Sequence, residues 1–171
     1  MVRHYYRRRR YANKDKYSVE QTSINTPPIN AGWTEVPGRE DATVTTYQYS
    51  IAVVPPADIQ GMRKVKHLEF TIANTGQDTF ANLYYAIVYV PLGYSPNNLD
   101  IPITGTAIGL YDPNQYVMSC GVLDFNAGPC RVKTPLSRNL NSGDSIYLIL
   151  CTPNSSATAF YAMVKYAITL Q

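Results

Sequence analysis

The chain's 171 residues leave room for one domain with a sizeable core, and 45% apolar against 16% charged residues exclude an intrinsically disordered polymer as the reading of the whole. No segment approaches the ~20 consecutive apolar residues of a membrane span, so membrane insertion is not expected, and three widely spaced cysteines with two histidines argue against a zinc site. The formal charge of +3 is unevenly distributed: seven cations less one carboxylate give residues 1–16 a charge of +6, and eight cations against eleven carboxylates leave −3 for residues 17–171.

In chain order, the first element is an arm, residues 1–16, followed by one domain, residues 17–171. No apolar stretch follows the leading arginines, so a secretory signal is not expected. The arm RHYYRRRRYANKDK carries Arg3, Arg7, Arg8, Arg9, Arg10, Lys14 and Lys16, interleaved with Tyr5, Tyr6 and Tyr11. Guanidinium groups bind phosphate bidentately and release condensed counterions, while tyrosine rings stack on unpaired bases at ~1–3 kcal/mol each. These ten residues are the candidate nucleic-acid-binding set, with single-stranded nucleic acid as the partner. The segment lacks an apolar face and its like charges repel, so it is expected to be disordered until a polyanion neutralises it. The bland alternative is a nuclear localisation signal or a heparin-like patch.

From Tyr17 onward the pattern is that of an all-β protein, with twelve prolines, ten glycines and runs rich in Val, Ile, Thr and Tyr. Eight strand-like runs follow: Tyr17 to Thr26, Ala42 to Val54, Arg63 to Asn74, Ala81 to Val90, Gln115 to Phe125, Arg131 to Asn139, Asp144 to Thr152 and Ala157 to Leu170. Turn formers such as Pro27-Pro28, Pro55-Pro56 and Ser142-Gly143 separate them. Within the third run Lys66, Leu68, Phe70 and Ile72 make one face, apolar except at Lys66, while Ile146 to Leu150 is continuously apolar, as a strand covered on both sides would be. Eight strands with long connections at 27–41, 55–62 and 91–114 suit a jelly-roll β-sandwich. An immunoglobulin-like sandwich ranks second, since Trp33 falls in an expected loop and no Cys, Trp, Cys spacing occurs.

No constellation for catalysis is legible. His67 is the only histidine outside the arm, and nucleophile elbows, phosphate loops and metal-binding repeats are absent, so neither a catalytic residue, a metal nor a cofactor is expected. Cys120, Cys130 and Cys151 read as buried free thiols, although Cys120 and Cys130 flank a turn and could approach across a hairpin. Of fifteen tyrosines, Tyr84, Tyr85, Tyr89, Tyr94 and Tyr111 surround the longest connection and suit subunit contacts or ordinary strand packing.

The stretch RRRRYANKDKYSVEQTSI resembles the coat proteins of small circular single-stranded DNA viruses of the circovirus-like group, in which an Arg-rich arm leads directly into the first strand of a viral jelly roll. YVMSCGVLDFNAGPCRVKTPLSRNLNSGDSIYLIL resembles their later strands. The resemblance implies a capsid protein, not an enzyme: a homo-oligomeric shell of about sixty copies related by closed symmetry, with the arms inward. It implies that Arg3, Arg7 to Arg10, Lys14 and Lys16 contact the genome and serve nuclear import, with a host import receptor and a cell-surface receptor as further partners. The protein would then be found in the virion and, for a DNA genome, in the host nucleus during assembly. About sixty arms at +6 would supply roughly 360 charges, offsetting part of a kilobase-scale genome. This arm is shorter than theirs and has one basic block, and satellite RNA virus coats share the plan, so DNA and RNA both stay open. A cellular β-sandwich nucleic-acid-binding module with a basic tail is the competing class. A cupin-like enzyme would need a histidine cluster.

Overall fold

The computed structural model describes residues 17–37, 45–75, 82–96, 116–124 and 128–170. All ten candidate residues of the arm lie outside the described residues, as do Tyr111 and most of the 91–114 connection. The described elements are β1 (Ser18–Asn25), α1 (Ile29–Gly32), β2 (Thr34–Pro37), β3 (Thr45–Val54), β4 (Arg63–Asn74), β5 (Asn82–Val90), β6 (Tyr116–Asp124), β7 (Cys130–Lys133), β8 (Arg138–Leu140), β9 (Ser145–Thr152) and β10 (Phe160–Leu170).

All pairings among the described residues are antiparallel. One sheet has the order β1-β10-β4-β7, with β8 also on β4, and the other β2-β3-β9-β5-β6. With β7 and β8 taken as one interrupted strand and β2 as an added edge, eight strands divide between two sheets in the orders 1-8-3-6 and 2-7-4-5. This is a double-sheet jelly roll.

The eight runs are therefore all strands, and the two extra ones have local causes. The sixth run is split into β7 and β8 at Pro135. Proline has no N–H to extend the ladder, so the bond from Thr134 N to Leu68 O (2.9 Å) is followed by a break before β8. In the connection 27–41, an expected loop, α1 and β2 occur, and Trp33 between them is a core residue. Its indole N–H donates to Pro27 O at 3.0 Å, and its ring meets Tyr49 and Phe160 with centroids 5.7 and 6.0 Å away.

Between the sheets, Leu68, Phe70 and Ile72 of β4 and Phe160 and Val164 of β10 face Leu83, Tyr85, Ile87, Leu148 and Leu150. Phe70 meets Tyr85 edge to face at 5.3 Å, and each such large side chain contributes about 1.5–3 kcal/mol by burial. β9 lies between β3 and β5 and is buried along nearly its whole length, in agreement with its continuous apolar run.

The Lys66 exception also has a backbone cause. Against β10, the register moves from Lys165↔Glu69 to Ala167↔Lys66, three steps on β4 for two on β10. The extra residue falls beside His67, whose φ is +54°, and this β-bulge resets the in-out alternation. Leu68 and Val65 both point inward, so Lys66 and Lys64 point outward. A left-handed conformation costs a non-glycine residue about 1 kcal/mol. His67→Gly should therefore leave the fold intact, with its urea-unfolding midpoint unchanged or raised. A loss above about 1 kcal/mol would mean that the imidazole itself holds the bulge.

Candidate nucleic-acid interface

Residues directly opposite in an antiparallel pair share a face, so the registers define what the first sheet presents to solvent. Opposite Glu69 are Lys165 of β10 and Lys133 of β7, opposite Thr71 is Arg131, and opposite Ala167 and Thr169 are Lys66 and Lys64. The outer face of β1-β10-β4-β7 thus gathers Lys64, Lys66, Arg131, Lys133 and Lys165 against Glu69 alone, five cations less one carboxylate, or +4 among the described residues. The domain's net negative charge conceals this segregation.

Glu69 pairs with two of the five. Arg131 Nε donates to its Oε1 at 2.6 Å and Lys133 Nζ lies 3.3 Å from its Oε2. Desolvation works to raise the Glu69 carboxyl, but the hydrogen bonds from Arg131 and Lys133 outweigh it and hold it below the usual carboxylate range. Even so, the Arg131 and Lys133 side chains remain 59% and 63% exposed, open to a polyanion. Solvent screens ion pairs at such a surface and leaves them little net strength, so a phosphate can displace them readily.

The same face carries groups on which bases can rest. Met163 and Val19 are exposed there, and Tyr161, half-buried, donates its hydroxyl to Ser23 Oγ at 2.9 Å. The chain enters this face at Tyr17, whose ring lies under Lys66 Nζ at 4.8 Å from its centroid. Residues 1–16 therefore join the domain beside the basic face, through the edge strand β1.

The outer face of the other sheet has a different character. Around Ala86, Val88, Val90 and Ile149 it is apolar, with Val117 and Tyr147 packed alongside, and its described strand residues include no Lys or Arg. The two cations outside the basic face that the structure describes are committed elsewhere. Arg63 is buried, and Arg138 lies over the Tyr89 and Tyr116 rings at 4.2 and 5.0 Å.

The remaining candidates fall into distinct places. Tyr85 and Tyr89 are buried in the core, Tyr84 is half-buried and Tyr94 is exposed. Cys120, Cys130 and Cys151 form no disulfide, and only Cys151 is buried, which corrects the expectation that all three are. Cys120 on β6 and Cys130 on β7 belong to different sheets and do not face each other across a hairpin. Burial and then the Asp124 charge push the Cys130 thiol up. Among the described residues, no group of three or more His, Cys, Asp or Glu is placed to hold a metal, and no helix is long and apolar enough to cross a membrane.

The fold is a jelly roll, and among its described residues the exposed cations gather on one outer face. No protein-family model matches the chain, and no curated protein does. Among solved structures, the Podospora anserina GH26-CBM35 β-(1,4)-mannanase is similar over 92% of this chain at 13% identity, with a TM-score of 0.33. This chain spans 28% of that protein's length, and a likeness at that score carries no argument.

Proposed function

We propose that this is a capsid protein, which self-assembles into a small icosahedral shell and packages single-stranded nucleic acid. The observation that carries the reading is the continuity of charge: the +6 arm joins the domain at Tyr17, on the same face as the five cations of the sheet. A polyanion held by Arg3, Arg7 to Arg10, Lys14 and Lys16 would continue directly onto Lys66 and Lys64. Unpaired bases would find Tyr5, Tyr6 and Tyr11 in the arm and Tyr161 on the sheet. The jelly roll is a fold that viral shells use. The arm would also be read by an import receptor if the genome is DNA.

The basic face equally suits a cellular nucleic-acid-binding module with a basic tail, and oligomeric state separates the two. The test is size-exclusion chromatography of the full chain with the absorbance ratio of nucleic acid to protein across each peak, then negative-stain microscopy of the void volume. Uniform spheres with a nucleic-acid-like ratio are expected. A stable monomer or dimer at low and moderate salt, with and without nucleic acid, overturns the capsid reading and leaves the binding module.

A further inference from the structure

The basic face has a gap where β4 changes neighbours. β7 pairs with β4 as far as Lys133↔Glu69, Thr134 makes one more bond to Leu68 O, and β8 rejoins only at Arg138↔Val65. The bulge at His67 faces this gap. The result is a recess of about 290 Å³ lined by His67, Leu68, Glu69, Lys133, Thr134 and Pro135.

We propose that this recess is a subsite for one unpaired nucleotide of the strand lying on the basic face, its base against the His67 ring and its phosphate on Lys133 and Arg131. The inference rests on the nucleic-acid-binding part of the proposed function. Its volume lies at the lower end of the ~300–1,000 Å³ of small-molecule sites, which suits a single ring system. The walls match that ligand: Pro135 is an exposed apolar ring, and the exposed imidazole is a stacking surface of the kind that holds splayed-out bases. Lys133 stands at the wall with Arg131 two residues away on the same face, both exposed and both paired with the Glu69 carboxylate, whose place on the two cations a phosphate would take. The backbone adds an independent observation. Glycine would serve this bulge without strain, so the bulge alone does not account for an imidazole held at φ +54°.

The test compares the full chain with its His67→Gly and Lys133→Ala variants, by fluorescence anisotropy at nanomolar protein. The probes are a thymidine oligonucleotide and an abasic deoxyribose-phosphate oligomer of equal length. Tyrosines of the arm contribute equally to the full chain and its variants, so the change in the ratio of the two affinities isolates the recess. His67→Gly, with its thermal melt matching the parent chain, should lower the preference for the base-bearing strand at least about fivefold, the low end of the stacking range for one base. Lys133→Ala should weaken both probes by the same factor. An unchanged ratio in folded His67→Gly, or an equal loss on both probes, overturns the subsite and leaves the basic face standing. Lys133→Ala binding like the parent overturns the phosphate contact. Failure of the parent chain to bind either probe overturns the subsite together with the nucleic-acid reading beneath it.

Discussion

Deletion of residues 2–16 should leave a folded jelly roll that no longer retains nucleic acid through purification. The β1-β10 ladder begins at Ser18↔Ile168, so no described pairing depends on the removed residues. Circular dichroism and urea unfolding of the truncated chain should therefore match those of the parent. Binding should change in a way that salt reveals. For single strands, log K falls against log salt by about 0.7 for each phosphate neutralised. With the seven cations of the arm and the five of the sheet all engaged, the slope would approach about −8, and the sheet alone would leave about −3.5. Anisotropy titrations of both chains at several salt concentrations measure the difference directly. Equal slopes would mean that the arm does not contact phosphate, and a truncated chain that fails to fold would make the arm part of the domain. The residual slope matters as much as the loss, because it reports on the face of the sheet alone.

The sequence exposes the strands more readily than the surface they build. Arg63–Asn74 matches its run at both ends, and the apolar run of β9 announces a strand buried on both faces, because period-two patterning and turn chemistry act locally. Trp33 escapes this logic. Its short segment has no periodicity, and its burial comes from Tyr49 and Phe160, which are distant in the chain. The basic face is hidden for a similar reason: Lys64, Arg131 and Lys165 become neighbours only through the order β10-β4-β7, and eleven carboxylates mask them in the net charge. Two signals are nonetheless present. Lys64 and Lys66, and again Arg131 and Lys133, are cations two residues apart on strands, and that spacing places both members of each pair on one face. The lone charge at Lys66 in an otherwise apolar face marks the bulge, which reverses the side on which it emerges.

Asp144→Ala should be among the most destabilising single substitutions in the domain, on the order of 3–5 kcal/mol. The carboxylate is 3% exposed and ties together three segments. It accepts hydrogen bonds from Tyr89 Oη at 2.7 Å, Asn141 N at 2.8 Å and Leu92 N at 3.1 Å, while its own carbonyl accepts from Arg63 Nη2 at 2.8 Å. Alanine would leave the three carboxylate donors unmet, each at about 1–3 kcal/mol before relaxation. Little relaxation is available. Gly143 beside it adopts φ +80°, and a Cβ there would fall 2.5 Å from Leu92 Cδ1, so the turn and Leu92 are already in close contact. The same network sets the protonation behaviour. Burial, then the hydrogen bond to Asp144 and its charge, push the Tyr89 hydroxyl up to about 12. Burial works to raise Asp144 as well, but the bonds from Tyr89, Asn141 and Leu92 prevail and hold its carboxyl below the usual range. A folded-state value below the unfolded one means that this stabilisation is fully present above the unfolded carboxyl's ~3.9 and is lost as pH falls through the lower, folded value. Asp144→Asn keeps an acceptor but cannot titrate. Its stability deficit relative to the parent, measured by urea unfolding across the acid range, should be constant above pH ~4 and shrink below it. A deficit that stays constant throughout would mean that the charge on Asp144 is not what the three donors hold.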